Sequence, residues 1–235
     1  NMSENEEIQN KIWQQLRLFE YLNNMPVIQI KLDDVEADDI IAHVANSRFF
    51  KNFEKVIVSS DKDFIQLCSE KTILYRPIQK EVLNMKNIIE KYNIHPTNFA
   101  LARAMGGDSS DNISGIRGVG LITVAKRFPF LWEEKSYTVD DLLSHSREQE
   151  SKLKIYEDVS NNRKLILENY KLMQLYSPLI SPQGKRKINY ILENFEFDFN
   201  KTKTITYMIK DGMGEYNWID LWACFKRICW NKHVP

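Results

Sequence analysis

Seven carboxylates fall into three short clusters along this 235-residue chain: Glu36-Ala37-Asp38-Asp39, Asp61-Lys62-Asp63, and Asp108 with Asp111. Acids one to three positions apart repel one another and raise one another's pKa, a cost that a bound cation removes, and oxygen ligands of this kind suit a hard divalent ion. A carboxylate near a helix start has a plainer use, since it gains ~0.3–1 kcal/mol from the helix dipole, but three within four residues exceed that need. The third cluster lies in the stretch Gly106 to Gly120, which holds five of the chain's eight glycines. Glycine is placed where φ is positive or another group must come close, so this backbone is shaped for contact. Its second half, Gly115-Ile116-Arg117-Gly118-Val119-Gly120, reads as a tight hairpin between two apolar-periodic stretches. The segment Leu121 to Phe128 follows as a helix carrying Lys126 and Arg127, whose free amides can take a phosphate. Each piece by itself also reads as a polar loop or an ordinary helix-helix turn, and only their combination argues for a site.

The elements that must position these residues follow from periodicity. Ile8, Ile12, Leu16 and Phe19 predict an amphipathic helix over residues 4–23, ended by Pro26, with Val27 to Ile30 a short strand. Ala37, Ile40, Ile41, Val44 and Ala45 form one stripe of a second helix whose first turn carries the first acids. Lys55 to Ser60 is an apolar strand, so Asp61 and Asp63 sit just past its carboxyl end, where open α/β sheets place their ligands. Thr72 to Tyr75 is another strand, and residues 85–92 and 96–105 are helices. Such alternation predicts an α/β fold with a mostly parallel sheet and covered faces. Beyond Phe130 the segments 140–145, 151–176 and 217–230 look helical. Pro178 and Pro182 mark a break, and Lys185-Arg186-Lys187 is a basic run that suits either a solvated surface or a phosphate backbone.

Composition sets wide bounds. Lys+Arg and Asp+Glu both total 32, so the net charge is zero and supplies no global argument for a polyanion partner. With the seven acids engaged by cations the remainder carries +7, enough for a basic face beside an acidic pocket. Three unevenly spaced cysteines argue against a disulfide framework and for a reducing, cytoplasmic setting. Cys224, Cys229 and His233 lack a fourth zinc ligand, and the two cysteines are expected to pack with Trp222, Phe225 and Trp230. No apolar run approaches the ~20 residues of a membrane span, so no membrane partner is expected.

In this order the three acidic clusters, with Ser59-Ser60 before Asp61, Gly107-Asp108-Ser109-Ser110-Asp111-Asn112-Ile113, and the Gly-x-x-Gly-x-Gly hairpin, resemble the flap endonuclease or 5′-3′ exonuclease family. That family includes the phage ribonuclease H-type 5′-nucleases and the 5′-nuclease domain of DNA polymerase I. The resemblance spans roughly residues 25–130, and the Asn169 to Leu175 stretch is similar to the family's post-hairpin helices. It implies a PIN-like α/β core over 1–105, then a helix-hairpin-helix and helical C-terminal region over 106–235. It places Glu36, Asp38 and Asp39 at a first metal site and Asp61, Asp63, Asp108 and Asp111 at a second, with two Mg²⁺ ions that Mn²⁺ can replace. In such a site ions ~3.5–4 Å apart ligate the scissile phosphate and lower the pKa of an attacking water. The hairpin would hold duplex DNA through Gly115, Ile116, Gly118, Val119, Gly120, Lys126 and Arg127. A K⁺ ion is implied at the carbonyls of Gly115, Ile116 and Val119.

Two features depart from the family pattern. Leu121-Ile122 follows the last hairpin glycine where relatives often carry lysine, which shifts phosphate contact to Lys126 and Arg127. Nothing before Glu36 matches the family's opening metal-binding Asp, its second acid or its basic arch, so the chain is expected to start after the arch, with Met2 a candidate start. A separate N-terminal segment or chain thus joins 5′ flaps, duplex ends, RNA-DNA primers and replication proteins as expected partners. The expected activity is metal-dependent hydrolysis of phosphodiesters near 5′ ends in a bacterium or phage-infected cell. The rival is a DNA-junction binding module of the same fold with an incomplete first site; a related small ribonuclease fits the hairpin less well.

Overall fold

The computed structural model describes residues 3–149 and 153–230, which fall into two compact units. Residues up to Asp33 join those from Ser181 onward in the first, and Asp34–Ile180 form the second. The boundary expected at 105/106 falls inside the second unit, because the helix that ends there packs on two later helices of the same unit.

In the first unit α1 (Glu4–Leu22) starts at a capping box in which Ser3 and Glu6 satisfy each other's backbone amides. The helix is as expected, but its stripe is not buried: Ile8, Ile12, Leu16 and Phe19 are exposed, and Tyr21 is the residue it buries. Residues 27–30, expected as a strand, form no strand and join neither sheet among the described residues.

The second unit opens with α2 (Ala37–Ala45), which buries Ile40, Ala42 and Ala45. Strand β1 (Lys55–Val58) pairs in parallel with β2 (Thr72–Arg76), Val58 opposite Tyr75, and β2 pairs antiparallel with β3 (Glu81–Leu83). The three-stranded sheet is therefore mixed. Ile57, Leu74 and Leu83 enter the core, while Val56, Val58 and Val82 on the other face stay exposed, so one face is covered and one is open. Helix α3 (Met85–Tyr92) leads to α4 (Phe99–Gly106), whose residues 99–105 are all buried. Around α4 the core gathers Phe64, Ile65, Ile88, Ile116, Val124 and Leu142. Asn98, 1% exposed, donates to the carbonyls of Leu131, Glu133 and Lys135 and so organises the turn past Phe130.

After α4 come the two-residue strands β4 (Gly107–Asp108) and β5 (Ile113–Ser114), paired antiparallel. Then follow α5 (Leu121–Arg127), α6 (Val139–Glu148), α7 (Lys154–Asn161) and α8 (Arg163–Met173). The expected helix over 151–176 is thus two helices meeting at Asn162, with residues 151 and 152 outside the described set. Back in the first unit, α9 (Pro182–Asn194), α10 (Lys201–Lys210) and α11 (Trp218–Trp230) complete the chain. Trp222 stacks on Phe199 and Trp218. Cys224 is exposed and Cys229 half-buried, so Cys224 does not join the packed cluster expected of it. His233 and the Trp230 side chain lie outside the described residues. Among the described residues no helix is long and apolar enough to cross a membrane.

Candidate metal centre and nucleic-acid interface

The acids are delivered by the ends of elements. Glu36 is the N-cap residue of α2 but makes no side-chain capping bond, which leaves its carboxylate free, and Asp38 and Asp39 stand in the helix's first turn. Past β1, the Asp63 amide donates to Asp61 Oδ1 at 2.8 Å; this side-chain turn launches a 3₁₀ helix over Asp63–Leu67 and sets the two acids side by side. Asp108 ends β4, and its Oδ1 accepts from the Ser110 amide at 2.9 Å and from the Ser110 hydroxyl. Asp111 lies exposed in the loop that turns β4 into β5.

Electrostatics ties the three clusters together. Burial first, then the carboxylates of Asp61, Glu36, Asp39 and Asp111, holds Asp38 above the ordinary carboxylate range. Burial pushes Asp63 up to about 6; Arg103 pulls it down, and Asp61, Asp111 and Asp38 push it up. Asp38, Asp61, Asp63 and Asp111 thus feel one another's charge although they come from α2, the end of β1 and the β4–β5 loop. Asp108 enters through Arg103, whose Nη1 lies 2.9 Å from Asp63 Oδ1 and whose Nη2 donates to Asp108 Oδ2. The Asp63 oxygen is buried and off the line of a hydrogen bond, so this contact is a charge pair alone.

The donor set is all hard oxygen, gathered densely enough to repel itself, and it includes a buried carboxylate oxygen without a hydrogen bond. That chemistry fits a divalent cation. As the side chains stand, no three acidic, histidine or cysteine groups among the described residues close into one coordination sphere. The acids of the three elements share one electrostatic basin.

A cleft of about 690 Å³ joins the basin to the glycine hairpin: Asp61, Arg103, Asp108 and Asp111 line it together with Gly120 and Leu121. The hairpin is packed backbone to backbone. A Cβ on Gly115 would sit 2.0 Å from the Gly106 carbonyl oxygen, and one on Gly107, where φ is +71°, would sit 2.3 Å from the Gly115 nitrogen. Ile116 and Val119 are buried and anchor the turn in the core, while Arg117 and Gly118 face solvent. Of the carbonyls expected to face K⁺, that of Ile116 already accepts from the Val119 amide at 3.0 Å, and that of Val119 lies against Gly106. Lys126 is exposed and Arg127 half-buried.

Three residues that hold the site do not stand out as site residues in the sequence. Arg103 is the one charge in the apolar helix α4, a signal that could have been read. Asn169 of α8, 4% exposed, donates to the carbonyls of Ala104 and Ser114, both at 2.9 Å, and ties α4 and β5 together beneath the acid loop. Arg76 donates to the Ser60 carbonyl through Nε and Nη2, at 3.3 and 3.1 Å, and so steadies the residue before Asp61.

Comparison with known proteins returns 5′-3′ exonucleases and DNA polymerases I. Residues 4–93 match the family model of the 5′-3′ exonuclease N-terminal resolvase-like domain, a match that begins ahead of Glu36 and takes in α1. A 5′-3′ exonuclease of Aquifex aeolicus is 32% identical over 154 residues, covering 64% of this chain and 48% of that protein. A thermostable DNA polymerase I of Thermus thermophilus is 28% identical over 186 residues, 76% of this chain and 21% of that protein. The chain spans about half the length of the Aquifex relative and less of the others. Among solved structures, the zinc-bound T5 5′-exonuclease superimposes with a TM-score of 0.65 at 19% identity, covering 82% of this chain and 72% of that one. A bacteriophage T5 flap endonuclease in a pseudo-enzyme-product complex with DNA and metal ions gives 0.57 at 17% identity, over 97% and 73%. At those identities the likeness is one of fold.

Proposed function

Because the chain is a relative of the 5′-3′ exonuclease family, we propose that it is a metal-dependent, structure-specific 5′-nuclease hydrolysing phosphodiesters near 5′ ends of DNA. The observation that carries this reading is the shared cleft, in which Asp61, Asp108 and Asp111 face the same space as the end of the glycine hairpin. The T5 flap endonuclease of similar fold holds DNA and metal ions in one complex, which supports the same pairing here.

In this reading Asp61, Asp63, Asp108 and Asp111 hold one divalent ion and Glu36, Asp38 and Asp39 another, with Mg²⁺ the working ion. Two such ions supply charge to the scissile phosphate and an ionised water at neutral pH. The chain's own residues do the placing. Arg76 and Asn169 fix the backbone on which the acids sit, and Arg103 pairs two of them. The packed glycines give the hairpin a fixed shape against a duplex backbone, and Lys126 supplies a charge for a phosphate. K⁺ at the hairpin, action on primers and a cytoplasmic setting belong to the same proposal. The test is a duplex with an end-labelled 5′ flap in Mg²⁺: cleavage that chelation stops and that leaves a 5′-phosphate supports the reading, and binding without cleavage overturns it. Binding without cleavage is the outcome of the second reading, a junction-binding module, which is favoured by the acids' not closing into a coordination sphere.

A further inference from the structure

Arg103 is 8% exposed, is carried by a helix whose residues 99–105 are all buried, and is that helix's one charged side chain. Its two terminal nitrogens go to acids on different elements, Nη1 to Asp63 on the 3₁₀ helix after β1 and Nη2 to Asp108 on β4. We propose that Arg103 is a positioning residue of the acid basin: its guanidinium fixes Asp63 and Asp108 relative to each other, so that a divalent cation meets a preset pair of carboxylates. The inference rests on the reading of the basin as a metal site.

Three arguments favour positioning over a general stabilising role. A buried cluster of one cation and two anions gains little for folding, since charge burial offsets the attraction and apolar replacements of such clusters are often neutral. The planar guanidinium sets one nitrogen against each acid, hydrogen-bonded to Asp108 and paired in charge with Asp63, a spread that a single lysine ammonium does not offer. Asp108 is held at both oxygens, Oδ2 by Arg103 and Oδ1 by Ser110, so its orientation is fully specified. An arginine that merely stood in for the metal would need to move away from both acids, and its burial in α4 opposes that.

Calorimetric titration of the full chain with Mn²⁺, alongside thermal melting, separates the roles. Arg103→Lys keeps the charge and loses the two-point hold; it is expected to melt close to wild type yet bind Mn²⁺ about tenfold or more weakly, as loss of a group that orients metal ligands does. Arg103→Gln removes the charge too, so a competing arginine predicts tighter Mn²⁺ binding and a positioning arginine predicts weaker. Unchanged affinity in Arg103→Lys, or raised affinity in Arg103→Gln, overturns the proposal. So does failure of both variants to fold, which would make Arg103 a folding requirement. Wild type that binds no Mn²⁺ overturns the metal reading itself, whereas binding that is lost in Asp111→Asn but intact in Arg103→Lys overturns the positioning role alone.

Discussion

The side-chain amide of Asn169 lies 2.9 Å from the carbonyl oxygen of Ser114, and through that bond α8 holds the strand that closes the acid loop. The same nitrogen donates to Ala104, so one buried residue fixes both the end of α4 and β5. Asn169→Leu takes a donor from the buried Ala104 carbonyl and from the part-buried Ser114 carbonyl, and is expected to destabilise the fold by about 1–3 kcal/mol. Urea unfolding measures the loss, and amide exchange at Ile113 and Ser114 should quicken more than exchange within α6. Equal protection in both places would count against the tie.

The glycines of the hairpin differ in what they do, and substitution should separate them. Gly115→Ala forces a Cβ to 2.0 Å from a backbone oxygen, so the loop must move; a loss above ~3 kcal/mol, or no folded protein, is expected. Gly118 has φ +77° and open space around it, and Gly118→Ala should lose only the ~1–2 kcal/mol of a left-handed residue with a side chain. Melting curves of the two variants rank them, and the reverse order would contradict the packing described.

Lys126 is exposed on α5, beside the hairpin. If the hairpin grips a duplex backbone, Lys126→Glu lowers affinity for all duplex sequences alike and reduces the salt dependence by about one phosphate contact. Fluorescence anisotropy across a salt series reads both quantities. An unaltered slope would remove Lys126 from the interface.

Glu81 on β3 pairs with Lys91 and with Arg76, the residue that holds the Ser60 carbonyl. The Lys91 hydrogen bond first, then Lys91's charge and the Arg76 contacts, hold the Glu81 carboxyl below its ordinary range. A lowered folded pKa means that the pairing stabilises above the unfolded carboxylate pKa and is lost as pH falls through the folded value. Glu81→Gln should therefore lose stability at neutral pH and show a flatter acid limb than wild type in melting temperature against pH. Parallel acid limbs would sink this assignment.

Much of the frame was legible in local pattern. The stripe of α2, the apolar run of β1 and the acids at their ends could be read because periodicity and strand-end position are sequence properties. The N-terminus of α9 was hidden because Pro182 reads as a break, yet Ser181 caps the helix and proline suits its first turn. Strand β3 is only three residues long and gains its identity from pairing with β2. Residues 27–30 have strand composition, but a strand also needs a partner. The tie made by Asn169 and the bridge made by Arg103 join segments distant in sequence, so no spacing rule announces them.

The central claim is that acids from three separate elements form one cation-binding basin. Its most direct test is calorimetric Mn²⁺ binding to wild type, Asp61→Asn and Asp111→Asn, with melting temperatures recorded in parallel. Asparagine keeps the volume and removes the charge, so each variant should lose binding of at least one ion while melting at the same or a higher temperature, because repulsion within the basin is relieved. Mn²⁺ binding unchanged in both variants would contradict the account.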